Sequence, residues 1–244
     1  MNISFYNGVS GLIAFQQDMD TLSHNMANIN TNGFKASRSS FEDLLYTEMA
    51  VNSAENPMVG HGARVAGKQL LFGQGNLQPT SSMLDFAIVG EGMFAVERGE
   101  QVQYTRNGSF ALSVEGKKAY LVSKDGGYIL DGKGKRIEVK KKEDGAYDFA
   151  ALKDTVGVYQ FSNPYGLQQT NASSFIATDT SGEAWVPKST EDKPYELRQA
   201  SLELSNVQLT DEMVNLIVTQ KGYQMNAKMV QAADQIQEIV NNLR

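Results

Sequence analysis

The feature that most constrains this 244-residue chain is a pair of narrow apolar seams, one near each end. Near the start, Phe5, Val9, Leu12, Phe15, Met19, Leu22, Met26 and Ile29 follow one another at steps of three or four. That spacing lines side chains along one side of a helix. Gln17, Asp18, Asp20 and His24 fall off the line. Near the other end, Met213, Leu216, Gln220, Tyr223, Ala227, Val230, Ala233, Ile236, Val240 and Leu243 form a second heptad-like seam. Stripes this narrow suit a helix pair better than a compact core.

The ends therefore predict two long helices, spanning about 37 and 50 Å at about 1.5 Å per residue. Thr210 reads as the N-cap of the second, with Asp211 and Glu212 where the helix dipole favours carboxylates. Gly8 and Gly11 weaken the first helix by about 1 kcal/mol each relative to alanine. Asn28, Asn30 and Asn32-Gly33 end it, since Asn and Gly tolerate the left-handed conformation of caps and turns.

Between the ends, short apolar runs alternate with glycine turns, as in FAIVGEGMFAVERG and YTRNGSFALSVEGKKAYLVSKDGGYIL. Asn107-Gly108 and Asp125-Gly126 predict tight hairpins in which both central residues take positive φ. The expected fold class is a mainly β body with long N- and C-terminal α-helices that pair as an antiparallel coiled coil. The expected layout assigns 1–34 and 206–244 to the helical domain and 35–64 to a linker holding FEDLLY and a turn at ENPMVGHG. Residues 65–130 with 189–205 form a β domain, and 131–188, with Trp185, is a candidate second small β domain.

Composition narrows the function. A net charge of -6 argues against a general nucleic-acid binder. The basic run Lys133, Lys135, Arg136, Lys140, Lys141 and Lys142 alternates with Gly134, Ile137 and Val139, and reads as the solvated side of a hairpin. With no cysteine, disulfides, thiolate zinc sites and cysteine nucleophiles are excluded. The N-terminus lacks the basic and continuous apolar regions of a cleavable signal peptide, and no run is long enough to span a bilayer. His24 and His61 are too isolated to suggest a metal site. The G-x-G pieces at 60–62, 73–75 and 90–92 read as β-turn glycines, Glu42 and Asp43 as solvated carboxylates, and Asn171-Ala-Ser173 as an isolated glycosylation sequon. No catalytic residue, cofactor or metal is expected.

The stretch ANINTNGFK, preceded by GVSGL and MDTLSHN, resembles the N-terminal signature of the flagellar rod and hook axial proteins. SNVQLTDEMVNLIVTQKGYQMNAKMVQAADQI resembles their C-terminal signature, and FGQGNLQPTSSMLDFAIVGEGMF, YTRNGSFAL and FSNPYGL their β segments. The resemblance covers nearly the whole chain and, through FEDLLY and length, is strongest to distal rod proteins. FYNGVSGL, NPMVGHG and GYQMNAK are also similar to short hook proteins. It implies a structural, non-enzymatic subunit exported through the flagellar type III apparatus. Such a subunit lies in the basal body outside the cytoplasm and polymerises helically with itself and other rod and hook proteins, without nucleic acid or stable membrane insertion. Asn28, Asn30, Thr31, Gly33, Phe34 and Lys35 match the family's turn motif. The apolar seams are the expected assembly interface. Two readings of another class stay open: an extracellular β-rich adhesin or carbohydrate-binding module, and a glycoside hydrolase on a β scaffold.

Overall fold

The computed structural model describes residues 3–48, 58–99, 101–116, 118–141, 147–187 and 195–243. Helix α1 (Ile3–Ala27) is followed by β1 (Ser37–Asp43), β2 (Tyr46–Glu48), β3 (Met58–Gly60) and β4 (Ala63–Leu70). The strands β5 (Leu77–Pro79), β6 (Phe86–Gly90), β7 (Met93–Arg98), β8 (Gln101–Thr105), β9 (Phe110–Glu115), β10 (Lys118–Ser123) and β11 (Tyr128–Ile129) come next. After the short helix α2 (Leu152–Thr155) come β12 (Val158–Tyr159), β13 (Gln168–Asn171), β14 (Ser174–Ile176), β15 (Tyr195–Gln199) and β16 (Ser201–Glu203), then the long helix α3 (Leu209–Asn242).

The chain divides into two compact units: Met1–Ala27 with Ser37–Leu71 and Gln208–Arg244, and Asn28–Ala36 with Phe72–Val207. In the first, α1 and α3 lie side by side and antiparallel. Asn25 meets Glu212, Asp18 meets Thr219, and Gly11 lies against Asn226. The contact is close because it is built on small residues. A methyl group on Gly222 would lie 2.7 Å from the Phe15 ring, and one on Gly8 2.8 Å from Val230. The glycines that weaken α1 in isolation thus let the two backbones approach.

Residues 35–64 are not a plain linker. β1 pairs antiparallel with β4, Ser37 opposite Leu70 and Asp43 opposite Ala63, with a bulge at Ser40/Phe41. β2 pairs with β3, and Leu44 N–H donates to Gly62 O across the junction. FEDLLY is therefore extended; of ENPMVGHG, residues 55–57 lie outside the described residues. Helix boundaries also differ from expectation. Gln208, without a side-chain cap bond, precedes the first turn of α3, so Thr210 lies inside the helix. α1 ends at Ala27, and Ile29 leaves the helical line to pack with Phe34 and Val207.

In the second unit the main sheet runs β13-β14-β8-β7-β11-β10-β9, with β12 also on β7. Phe86, Phe94, Phe110, Leu121, Ile129, Ile137 and Val158 form its core. Segment 131–187 is not set apart from this sheet. β14 extends it through Phe175 opposite Tyr104, and β12 through Val158 opposite Phe94. Ile137 and Val139 are buried, while the Asp131 carboxylate accepts from Lys133 N and Lys135 N. Lys133, Lys135, Lys140 and Lys141 are exposed, and Lys142 lies outside the described residues.

Only one of the two expected hairpins forms, and with different backbone signs. β10 and β11 pair around Asp125-Gly126, where Gly126 has φ 84°. Asp125 does not: Ala200 is the only non-glycine with positive φ among the described residues. Asn107-Gly108 joins β8 and β9, which are not partners. Gly108 is required for another reason, because a methyl group there would sit 1.7 Å from Phe86 O. Propensity alone would have Gly108→Ala stabilise an extended segment by up to about 1 kcal/mol. The clash predicts the reverse, a fall in the urea midpoint at unchanged slope.

Candidate assembly surface

The turn motif is anchored by a buried charge cluster in the second unit. Thr31 N–H and Oγ1 bond back to Asn28, and Phe34 N–H reaches Thr31 O, folding 28–34 into successive turns. Asn30 is exposed. Gly33 takes φ 68° and donates to Glu203 O at 2.8 Å; a methyl group there would lie 2.4 Å from Asn107 N. Phe34 is fully buried with Ala36 and Val207. Ala36 N–H donates to Asn206 Oδ1, so segments 33–36 and 203–206 are zipped together.

Lys35 and Glu203 have side chains with no solvent exposure, and Lys35 Nζ donates to Glu203 Oε1 at 2.6 Å. The same Nζ reaches Gly73 O at 2.8 Å. Arg106 donates to Glu203 Oε2 at 3.2 Å and to Gly90 O at 2.7 Å, and Gly75 N–H completes the carboxylate's partners at 3.0 Å. Burial depresses the Lys35 and Arg106 pKa values despite the attraction of Glu203. A buried pair is costly to break because the survivor is left charged and dry. Arg106 and Glu203 carried no signal in the sequence, since their partners lie far away along the chain.

The helical unit has an analogous polar anchor. Buried Asn25 accepts from Ser37 N and donates to Ser37 O, acting as a strand partner to the first residue of β1, and also donates to Glu212 Oε1 at 3.2 Å. Burial raises the Glu212 pKa, opposed by the Asn25 hydrogen bond and reinforced by Asp18 and Asp211, with Arg38 lowering it. Buried Thr21 caps Gln17 O and meets Ser39.

The seam residues fall into three groups. Leu22 is buried, and Phe5, Val9, Leu12, Phe15, Met19, Met26, Leu216, Tyr223, Ala227 and Val230 are half-buried. Met213, Ile236 and Val240 are exposed, so they make no buried seam with α1 in this chain. Ile29 belongs to the Phe34 cluster. The line of α3 that meets α1 is instead Glu212, Thr219, Asn226 and Ala233, flanked by Leu216, Tyr223 and Val230. Its central positions are polar or small, so an apolar template misplaces it. Meanwhile Val214, Val218, Met225 and Met229 are exposed. His24 is exposed on α1, and His61 Nε2 lies 2.7 Å from Thr47 Oγ1. Among the described residues no helix is long and apolar enough to cross a membrane.

Lys35→Met or Glu203→Gln should each destabilise the fold by about 3 kcal/mol or more. The double variant should cost less than the sum of the singles in chemical denaturation, since the two share one contact. For Glu212 the sign is that of an acid whose folded pKa is raised. The protonated form suits the folded helix pair, so stability is lost as pH rises from the ordinary glutamate range of about 4.3. Glu212→Gln should flatten that part of the melting temperature against pH, read by circular dichroism at 222 nm.

Three family descriptions match this chain: "Flagella basal body rod protein" over residues 5–35, "Flagellar hook protein FlgE/F/G D1 domain" over 87–155, and "Flagellar basal body rod FlgEFG protein C-terminal" over 198–243. The first covers α1 and the turn motif, and the last Glu203 and α3. The chain is 32% identical to the flagellar basal-body rod protein FlgG of Borreliella burgdorferi, covering 99% of this chain and 98% of that one. It is 32% identical to FlgG of Bacillus subtilis over 98% of both chains, and 30% identical to FlgG of Agrobacterium fabrum over 95% of both. With matches at both termini and across the β unit, and relatives aligned from end to end, the chain belongs to the flagellar basal-body rod protein family.

Proposed function

We propose that this chain works as a structural subunit of the flagellar rod by polymerising, with α1 and α3 pairing as a coiled coil that forms the polymer's inner tube. The observation that carries this is the exposure of Val214, Val218, Met225, Met229, Ile236 and Val240 on one long helix. Burying each such side chain against a neighbour would contribute about 1.5–3 kcal/mol. Repeated contacts that do not close generate a filament. A filament of this kind would carry torque from motor to hook. The full-length likeness to FlgG proteins supports the distal rod over the hook. Export through the type III apparatus and docking to other rod and hook proteins follow from the same reading.

The structural role is one of positioning and stiffness rather than chemistry. The buried Lys35–Glu203–Arg106 cluster fixes the segments joined to each helix, and the small-residue contact at Gly8 and Gly222 fixes the helix register. Basal bodies from a strain lacking this chain, imaged by electron microscopy, should have truncated rods, and the cells should be non-motile. An intact rod with no hook would assign the chain to the hook, and a functional flagellum would refute both.

A further inference from the structure

Helix α3 carries two apolar-competent faces with different periods. The inner one, against α1, repeats every seven residues: Glu212, Thr219, Asn226, Ala233, flanked by Leu216, Tyr223 and Val230. The outer one repeats every eleven: Val214, Met225 and Ile236 in one row and Val218, Met229 and Val240 in the next. At about 100° per residue the outer stripe lies about 110° around the helix from the inner one. Its six members are 56% to 66% exposed. A seven-residue period drifts in one sense around an α-helix and an eleven-residue period drifts slightly in the other. One surface therefore favours left-handed wrapping. The other keeps a straight or weakly right-handed partner aligned.

We propose that the outer stripe of α3 is a second docking face that takes the outward line of α1 from another copy of this chain, lying along it without left-handed wrap. This rests on the rod reading and specifies its contact. Charge selects the occupant. α1 has no lysine or arginine, and its outward line carries Tyr6, Ile13 and Asp20 at seven-residue steps, all exposed. Over its described length α3 has two cations, Lys221 and Lys228, both exposed and bordering the stripe. Tyr6 and Ile13 supply apolar side chains for the stripe, and Asp20 a carboxylate for its lysine border. An α3-to-α3 contact would bring lysine borders together, and as a two-fold pair it would close at a dimer. An α1-to-α3 contact is heterologous and remains open to further copies.

The absence of cysteine makes the test direct. Full-length Ile13→Cys is mixed with full-length Met225→Cys, Met229→Cys or, as a control on another side of α3, Gln231→Cys. All four positions are exposed, so folding should be unchanged. Under assembling conditions and mild oxidation, Ile13→Cys should form disulfide-linked heterodimers with Met225→Cys or Met229→Cys and not with Gln231→Cys. Val218→Asp, with unchanged circular dichroism, should reduce sedimentable polymer about tenfold or more. Filaments in which Ile13→Cys links only to Gln231→Cys, or links to none of the three, would overturn the docking face and leave the rod reading standing. So would filaments linked mainly by Met225→Cys to itself. Failure of the unmodified chain to polymerise at any concentration would refute the rod reading and the inference with it.

Discussion

The carboxylate of Glu203 is the interaction on which the path of this chain turns. It is fully buried and accepts from Lys35, Arg106 and Gly75 N, while its backbone oxygen accepts from Gly33. One residue therefore joins the turn after α1 to the strand before α3. A buried ion pair seldom adds much net stability over a well-packed apolar replacement, but its partial loss is expensive. Its value here is directional: few other arrangements could satisfy a buried carboxylate and two buried cations at once. The left-handed Gly33 and the buried Phe34 follow from that geometry.

The helix pair is held by a different balance. Its contact line is rich in small and polar residues, with Asn25, Thr21 and Thr219 buried at its centre. Such a line gains less from burial than a leucine-rich one, and it specifies register through hydrogen bonds that fit in one alignment only. The large apolar side chains of α3 lie elsewhere on its circumference. Within one subunit the helices are thus well aligned yet leave their most hydrophobic surface uncovered, a combination that suits a protein finished by its neighbours.

Much of this was legible from local signals. The long terminal helices, the stop at the asparagine-rich stretch and the short strands between them follow from periodicity and turn chemistry. What escaped was non-local. Ile29 continues a three-and-four spacing past the end of α1, but the Phe34 cluster captures it. Thr210 is a good cap by type, yet the chain enters α3 two residues earlier, at Gln208. Segment 131–187 is weakly patterned because its strands are short and borrow partners from β7 and β8. Thr219 and Asn226, on the inner line of α3, were missed because they do not look like seam residues. Lys35 was singled out by resemblance alone, and its partner at 203 could not be inferred from spacing.

The way β14 closes on β8 bears on how such proteins can vary in size. The backbone of Tyr104 and Thr105 is covered on that side by Ser174 and Phe175, with β13 outermost. Trimming the chain there would uncover a row of unsatisfied amides and carbonyls next to the apolar Phe175 site, a ready template for unwanted strand addition. Lineages that shorten or enlarge this region should therefore keep a terminal hairpin as a guard, and place their insertions in the turns outside it.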